Sequence, residues 1–111
     1  MTVVETERFL KDTERLLAES ERAKLVAFLG ANPVAGEIIP GTGGVRKLRW
    51  ALVGRGKRGG ARVIYYYHGE QTPLFLLAAY AKNEKVNLSA AEGNAMKRLV
   101  RILATGYPGK T

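Results

Sequence analysis

Seven basic side chains crowd the stretch VRKLRWALVGRGKRGGAR, positions 45 to 62, with no carboxylate among them. Cations at this density suit a polyanion, and the chemistry open to them is phosphodiester chemistry. Ribonucleic acid carries its own nucleophile, the 2′-hydroxyl beside the scissile phosphate. A protein need only align that oxygen, help remove its proton, neutralise the phosphorane and protonate the leaving 5′ oxygen. Arginine suits the phosphate because its planar fork donates two hydrogen bonds at once. Lysine as a base needs a lowered pKa, and like-charged neighbours push it down. Lys47 lies between Arg46 and Arg49 in the chain. A fall of roughly 3 from the reference value of about 10.4 would require on the order of 4 kcal/mol of repulsion and desolvation. Without that fall, Lys47 still serves as an electrostatic stabiliser.

Other chemistries fit the residues poorly. No acid occurs from 38 to 69, so a carboxylate-held metal is hard to assemble beside the cations. Cysteine is absent and His68 is the sole histidine, which removes conventional transition-metal sites and thiolate nucleophiles. Gly54 to Gly59 spells G-x-G-x-x-G, but a strand pattern follows it where a dinucleotide site needs a helix. No metal and no cofactor is expected.

The elements that position these cations follow from periodicity. Phe9, Leu10, Thr13, Leu16 and Leu17 should fall on one face of a helix at its period. A second helix is expected from an N-cap at Ser20 to the GANP stop, carrying Ala23, Val26 and Ala27 with Leu25, Phe28 and Leu29. The two should form a hairpin, and VVET before them is a candidate short strand. GEIIPGTGG reads as a loop. From Val45 the period becomes two: Leu48, Trp50 and Leu52 face one way, Lys47, Arg49 and Ala51 the other. GRGKRGG is then a hairpin-like loop, ARVIYYYH a second strand, and LFLLAAYA a central strand buried on both faces. Of Tyr65, Tyr66 and Tyr67, at least one should be core, and an aromatic shelf for bases is a possible use of the others. After KNEKVN, Ser89 and Glu92 spell a capping box. A closing helix to about Ala104 should turn Ala95, Leu99, Ile102 and Leu103 inward. The expected whole is one α+β domain, residues 1–111, with an antiparallel sheet.

Charge is unevenly spread. Residues 1–40 carry 5 bases and 7 acids, residues 41–70 carry 7 and 1, and residues 71–111 carry 6 and 2, giving the net +8. The acidic N-terminus lacks the pattern of a signal peptide, and no apolar run approaches the ~20 residues of a membrane span. The expectation is a cytoplasmic protein with no membrane contact.

GTGGVRKLRW, GKRGGARVIYYY and LLAAYAKNEK, with NLS before the last helix, resemble the RelE/ParE superfamily of type II toxins, most closely its HigB-type branch. The likeness covers about residues 33 to 92. It implies a RelE-like fold, two N-terminal helices on a curved antiparallel sheet with a closing C-terminal helix. It implies a metal-independent endoribonuclease, an mRNA interferase that works in the ribosomal A site and leaves a 2′,3′-cyclic phosphate. The implied partner is a HigA-like helix-turn-helix antitoxin, through which alone operator DNA is contacted. Carried over by residue, Lys47, Arg49, Arg62 and Lys82 are the expected catalytic cations, Arg62 answering the transition-state charge. Arg46, Arg55, Lys57, Arg58 and Lys85 are expected to hold RNA. RelE carries a base-stacking tyrosine near its C-terminus, whereas the only aromatic here after Tyr80 is Tyr107. The proton donor, and the choice between Lys47 and Lys82 as base, stay open. The competing readings are a ParE-like gyrase poison and a non-catalytic nucleic-acid-binding module.

Overall fold

The computed structural model describes residues 1–52, 60–84 and 87–106. The chain opens with strand β1 (Val3–Glu5) and helices α1 (Glu7–Leu16) and α2 (Glu19–Ala31). Strands β2 (Glu37–Ile38), β3 (Val45–Trp50), β4 (Ala61–Tyr66) and β5 (Leu74–Ala81) follow, and helix α3 (Ala90–Gly106) comes last. The result is α+β, as expected. The five strands run in the order β1-β5-β4-β3-β2. The sheet is mixed, not antiparallel throughout, because β1 pairs parallel to β5 while the other pairs are antiparallel.

Short-range chemistry explains the helix ends. Thr6 caps α1 by accepting from the Phe9 N–H at 3.3 Å, while its own hydroxyl donates to the Leu76 carbonyl at 2.7 Å. One side chain thus satisfies a helix terminus and ties it to the central strand. Phe9 and Thr13 turn inward and Leu10 outward. Helix α2 departs from expectation: its N-cap is Ala18 with no side-chain bond, not Ser20. Leu25 and Leu29 alone are fully buried in it, whereas Ala23, Ala27 and Phe28 are exposed. Phe28 instead packs its ring 5.5 Å from Trp50. At α3 the capping box forms as read, Ser89 N–H to Glu92 Oε1 at 2.9 Å and Glu92 N–H to Ser89 Oγ at 3.1 Å. The buried residues of α3 are Met96 and Val100; Ala95 and Ile102 are exposed, contrary to the inward placement expected.

The sheet separates two apolar clusters. On one face Leu48, Leu52, Ala61, Val63, Tyr65, Leu74, Leu76 and Ala79 meet Phe9, Leu17, Leu25 and Leu29. On the other, Val45, Ile64, Tyr66, Phe75, Leu77, Ala78 and Tyr80 meet Met96 and Val100 of α3. Strand β5 is buried along its whole length, as a strand covered on both faces must be. Its alternation is broken once. Ile64 pairs with Ala78 but Tyr65 pairs with Leu76, so Leu77 is a bulge residue. The extra residue reverses the facing of everything after it, and that places Tyr80 on the α3 side.

GEIIPGTGG is not all loop. Glu37 and Ile38 pair with Lys47 and Arg46, forming a hairpin around the glycines. Thr42 closes it, donating to the Ile39 carbonyl at 2.6 Å and accepting from the Val45 N–H at 3.1 Å. Gly43 and Gly44 sit at φ 79° and 114°, where a side chain would be strained.

Candidate functional site

Alternation along β3 decides which cations share a surface. Val45, Lys47 and Arg49 face the α3 side, and Arg46, Leu48 and Trp50 face α1 and α2. Pairing then builds two rows across the sheet. Arg49 is the register partner of Arg62, which is the partner of Tyr80. Glu37 is the partner of Lys47, which is the partner of Ile64. Directly opposite residues hold their Cβ atoms about 4.5–5.5 Å apart, so Arg49 and Arg62 lie side by side. Helix α3 covers the Val45 end of this face with Met96 and Val100. Arg49 is exposed and Arg62 and Lys47 are half-buried.

None of Lys47, Arg49 and Arg62 forms an ion pair among the described residues. Among the described residues the ion pairs are Arg8 with Asp12 and Glu92, Arg22 with Glu5, and Lys24 with Glu21. Lys47 Nζ donates instead to Asn87 Oδ1 at 2.9 Å, which ties the middle of β3 to the segment before α3. Arg62 Nη1 donates to the Ala61 carbonyl at 3.3 Å, leaving most of its fork open. Lys82 is exposed in the turn after β5, its backbone N–H bonded to the Gly60 carbonyl at 2.9 Å. A cleft of about 220 Å³ lies at the β2–β3 edge, lined by Ala35, Glu37, Lys47, Leu48 and Arg49.

Arg46 is not brought to this surface. Its guanidinium reaches the Gly36 carbonyl at 2.7 Å and the Val34 carbonyl at 3.4 Å from the helix side of the sheet. Tyr65 joins it, donating to the Pro33 carbonyl at 2.9 Å and accepting from the Gly36 N–H at 2.8 Å. Burial pushes the Tyr65 phenol above its ordinary value, opposed by the Gly36 hydrogen bond and the Arg46 charge. This knot pins residues 33–36 beneath β3 and thereby fixes β2. Arg55, Lys57, Arg58 and Lys85 lie outside the described residues, as does Tyr107.

The tyrosine run supplies no shelf on the cationic surface. Tyr65 and Tyr66 are core, and Tyr67 is half-buried against the helix-side cluster. Tyr66 Oη and His68 Nδ1 are 3.1 Å apart beyond the end of β4. Among the described residues the aromatic beside the cations is Tyr80, whose phenol is held up by burial, drawn down by Arg62 and raised by Glu92. Sequence reading missed Tyr80, Asn87 and Glu37 as site residues. Tyr80 was hidden by the bulge, and Asn87 is distant in sequence. Glu37 had a readable signal: a tight turn at GTGG requires the residues before it to pair with those after it.

Arginines abreast on the sheet, beside a lysine and a carboxylate that has no ion pair among the described residues, can grip a phosphodiester and move protons around it. The model of the RelE toxin of the RelE/RelB toxin–antitoxin system matches residues 35–107, from just before β2 through α3. The chain therefore belongs to the RelE toxin family of the RelE/ParE superfamily and is the toxin of a toxin–antitoxin pair, with an antitoxin as its partner.

Proposed function

We propose that this toxin is a HigB-type mRNA interferase, an endoribonuclease that cleaves mRNA in the ribosomal A site by attack of the 2′-hydroxyl, without a metal. The observation that carries this reading is the Arg49–Arg62 register pair on the α3 side of the sheet, free of any acidic partner among the described residues. Two adjacent forks match the non-bridging oxygens of a phosphorane, whose charge grows as the reaction proceeds. Lys47 and Lys82 complete the catalytic set, and Arg55, Lys57, Arg58 and Lys85 hold RNA backbone. Arg46 is left out, because its guanidinium is engaged on the opposite face. No cluster of histidine, cysteine or acidic side chains suited to a metal occurs among the described residues, and no helix there is long and apolar enough to cross a membrane. The proposed setting is the cytoplasm, and the proposed antitoxin is a HigA-like helix-turn-helix protein that neutralises the toxin and binds the operator.

Inducing the protein in growing cells tests the reading. Translation should stop and new transcript ends should fall inside codons. Growth arrest with intact mRNA and damaged DNA would favour a gyrase poison. Salt-sensitive RNA binding without cleavage on ribosomes would favour a non-catalytic module. Dialysing the purified protein against EDTA before it is added to programmed ribosomes should leave its cleavage of mRNA unchanged.

A further inference from the structure

Glu37 is the carboxylate that the sheet itself delivers to the cationic surface. As the register partner of Lys47 it projects from the same face, one strand away, at a Cβ separation of about 4.5–5.5 Å. It lines the 220 Å³ cleft together with Lys47 and Arg49. Its carboxylate is exposed and makes no ion pair or hydrogen bond among the described residues. Lys47, the obvious partner, gives a hydrogen bond to Asn87 instead. An acid placed beside a phosphate-binding surface repels the ligand unless it has a task there. An ionised carboxylate only accepts, whereas an ammonium only donates.

We propose that Glu37 is the general base of the cleavage reaction, an inference that rests on the ribonuclease reading above. A Glu37 carboxylate oxygen takes the proton from the ribose 2′-hydroxyl. The 2′ oxygen forms its bond to phosphorus, and the bond from phosphorus to the 5′ oxygen breaks. The leaving oxygen takes a proton from the Lys47 ammonium. Solvent then removes the proton from Glu37 and returns one to Lys47, so both groups are restored. Arg49 and Arg62 hold the non-bridging oxygens throughout, and Asn87 keeps the Lys47 nitrogen facing the substrate. Arg49 lies two residues along β3 from Lys47, about 6.6–6.8 Å away, so the phosphate and the sugar face different groups.

Single-turnover cleavage of mRNA on programmed ribosomes decides it, with the unaltered protein, Glu37→Gln and Glu37→Asp compared over a range of toxin concentrations. Glu37→Gln should lower the saturating rate by about 100-fold or more and leave the half-saturating concentration within about twofold. Glu37→Asp, which keeps the carboxylate, should retain a rate at least about tenfold above Glu37→Gln. A Gln variant that cleaves within about threefold of the unaltered rate overturns the proposal, as does a loss confined to affinity. If the unaltered protein itself does not cut, the ribonuclease reading falls and this assignment falls with it.

Discussion

Gly36 shows how much of the site depends on a single missing methyl group. A Cβ there would lie 2.8 Å from Tyr65 Cε1 and 3.0 Å from both Tyr65 Oη and the Lys47 carbonyl. Gly36→Ala should destabilise the fold by about 1–3 kcal/mol, because the ring and the β3 backbone are both held in place. Denaturant unfolding measures this. Tyr65→Phe keeps the ring but strips the Gly36 N–H and Pro33 carbonyl of their partner, at a cost of about 1–3 kcal/mol. At the reacting residues the expected losses differ in kind. Arg62→Ala should abolish cleavage on ribosomes while circular dichroism and the unfolding midpoint stay near those of the unaltered protein, since among the described residues its guanidinium makes only the Ala61 carbonyl bond. Full toxicity in that variant would refute its role.

At the scale of elements, the edge of β5 is the vulnerable part. Strand β1 covers it only over Leu74–Leu76. Beyond that, Asp12 Oδ2 accepts from the Ala79 N–H at 3.0 Å and Glu84 Oε1 accepts from the Ala81 N–H at 3.0 Å. Two carboxylates thus do what a neighbouring strand would do. Asp12→Ala should destabilise by about 1–3 kcal/mol and promote self-association, because a bare edge offers its N–H groups to other chains. Light scattering and unfolding curves test both effects. The start of α3 is a second such joint. Ser89→Ala removes half of the capping box and should cost about 0.5–2 kcal/mol, measured by thermal unfolding.

Across the whole molecule, net charge and buried phenols set the solution behaviour. Three tyrosines, Tyr65, Tyr66 and Tyr80, have phenols raised above 10.0, in each case chiefly by burial. A raised folded value means the unfolded chain loses these protons first. Their contribution to stability is therefore complete below pH 10.0 and is lost as pH climbs through the folded values. Unfolding free energy should fall steeply above about pH 10, and Tyr65→Phe should flatten that fall; ultraviolet titration beside denaturant curves reads both. The charge of +8 should also make RNA binding salt-sensitive. Removing Lys47, Arg49 and Arg62 together should reduce the log–log salt slope by about 0.7, because all three meet the same phosphate of a single strand.

Much of this architecture is written locally. The strand alternation from Val45, the doubly buried β5, the Ser89–Glu92 box and the concentration of cations all follow from residue type and spacing, because pleat, helix period and capping act within a few positions. Arg62 joined Lys47 and Arg49 through the family resemblance, whereas those same rules only put Lys47 and Arg49 on one face of β3. They could not reach what depends on partners far away. Only Leu25 and Leu29 of the apolar residues in α2 are fully buried, because which of them find a neighbour depends on how the helix lies on the sheet. Arg46 was grouped with its neighbours although alternation alone puts it on the other face. Tyr80 reaches the cationic surface only through a bulge at Leu77, a two-strand property that no single strand reveals. Glu37 and Asn87 meet Lys47 from 10 and 40 positions away. Chain chemistry determined which groups exist and which way each strand turns them; only register between strands decided which of them stand together.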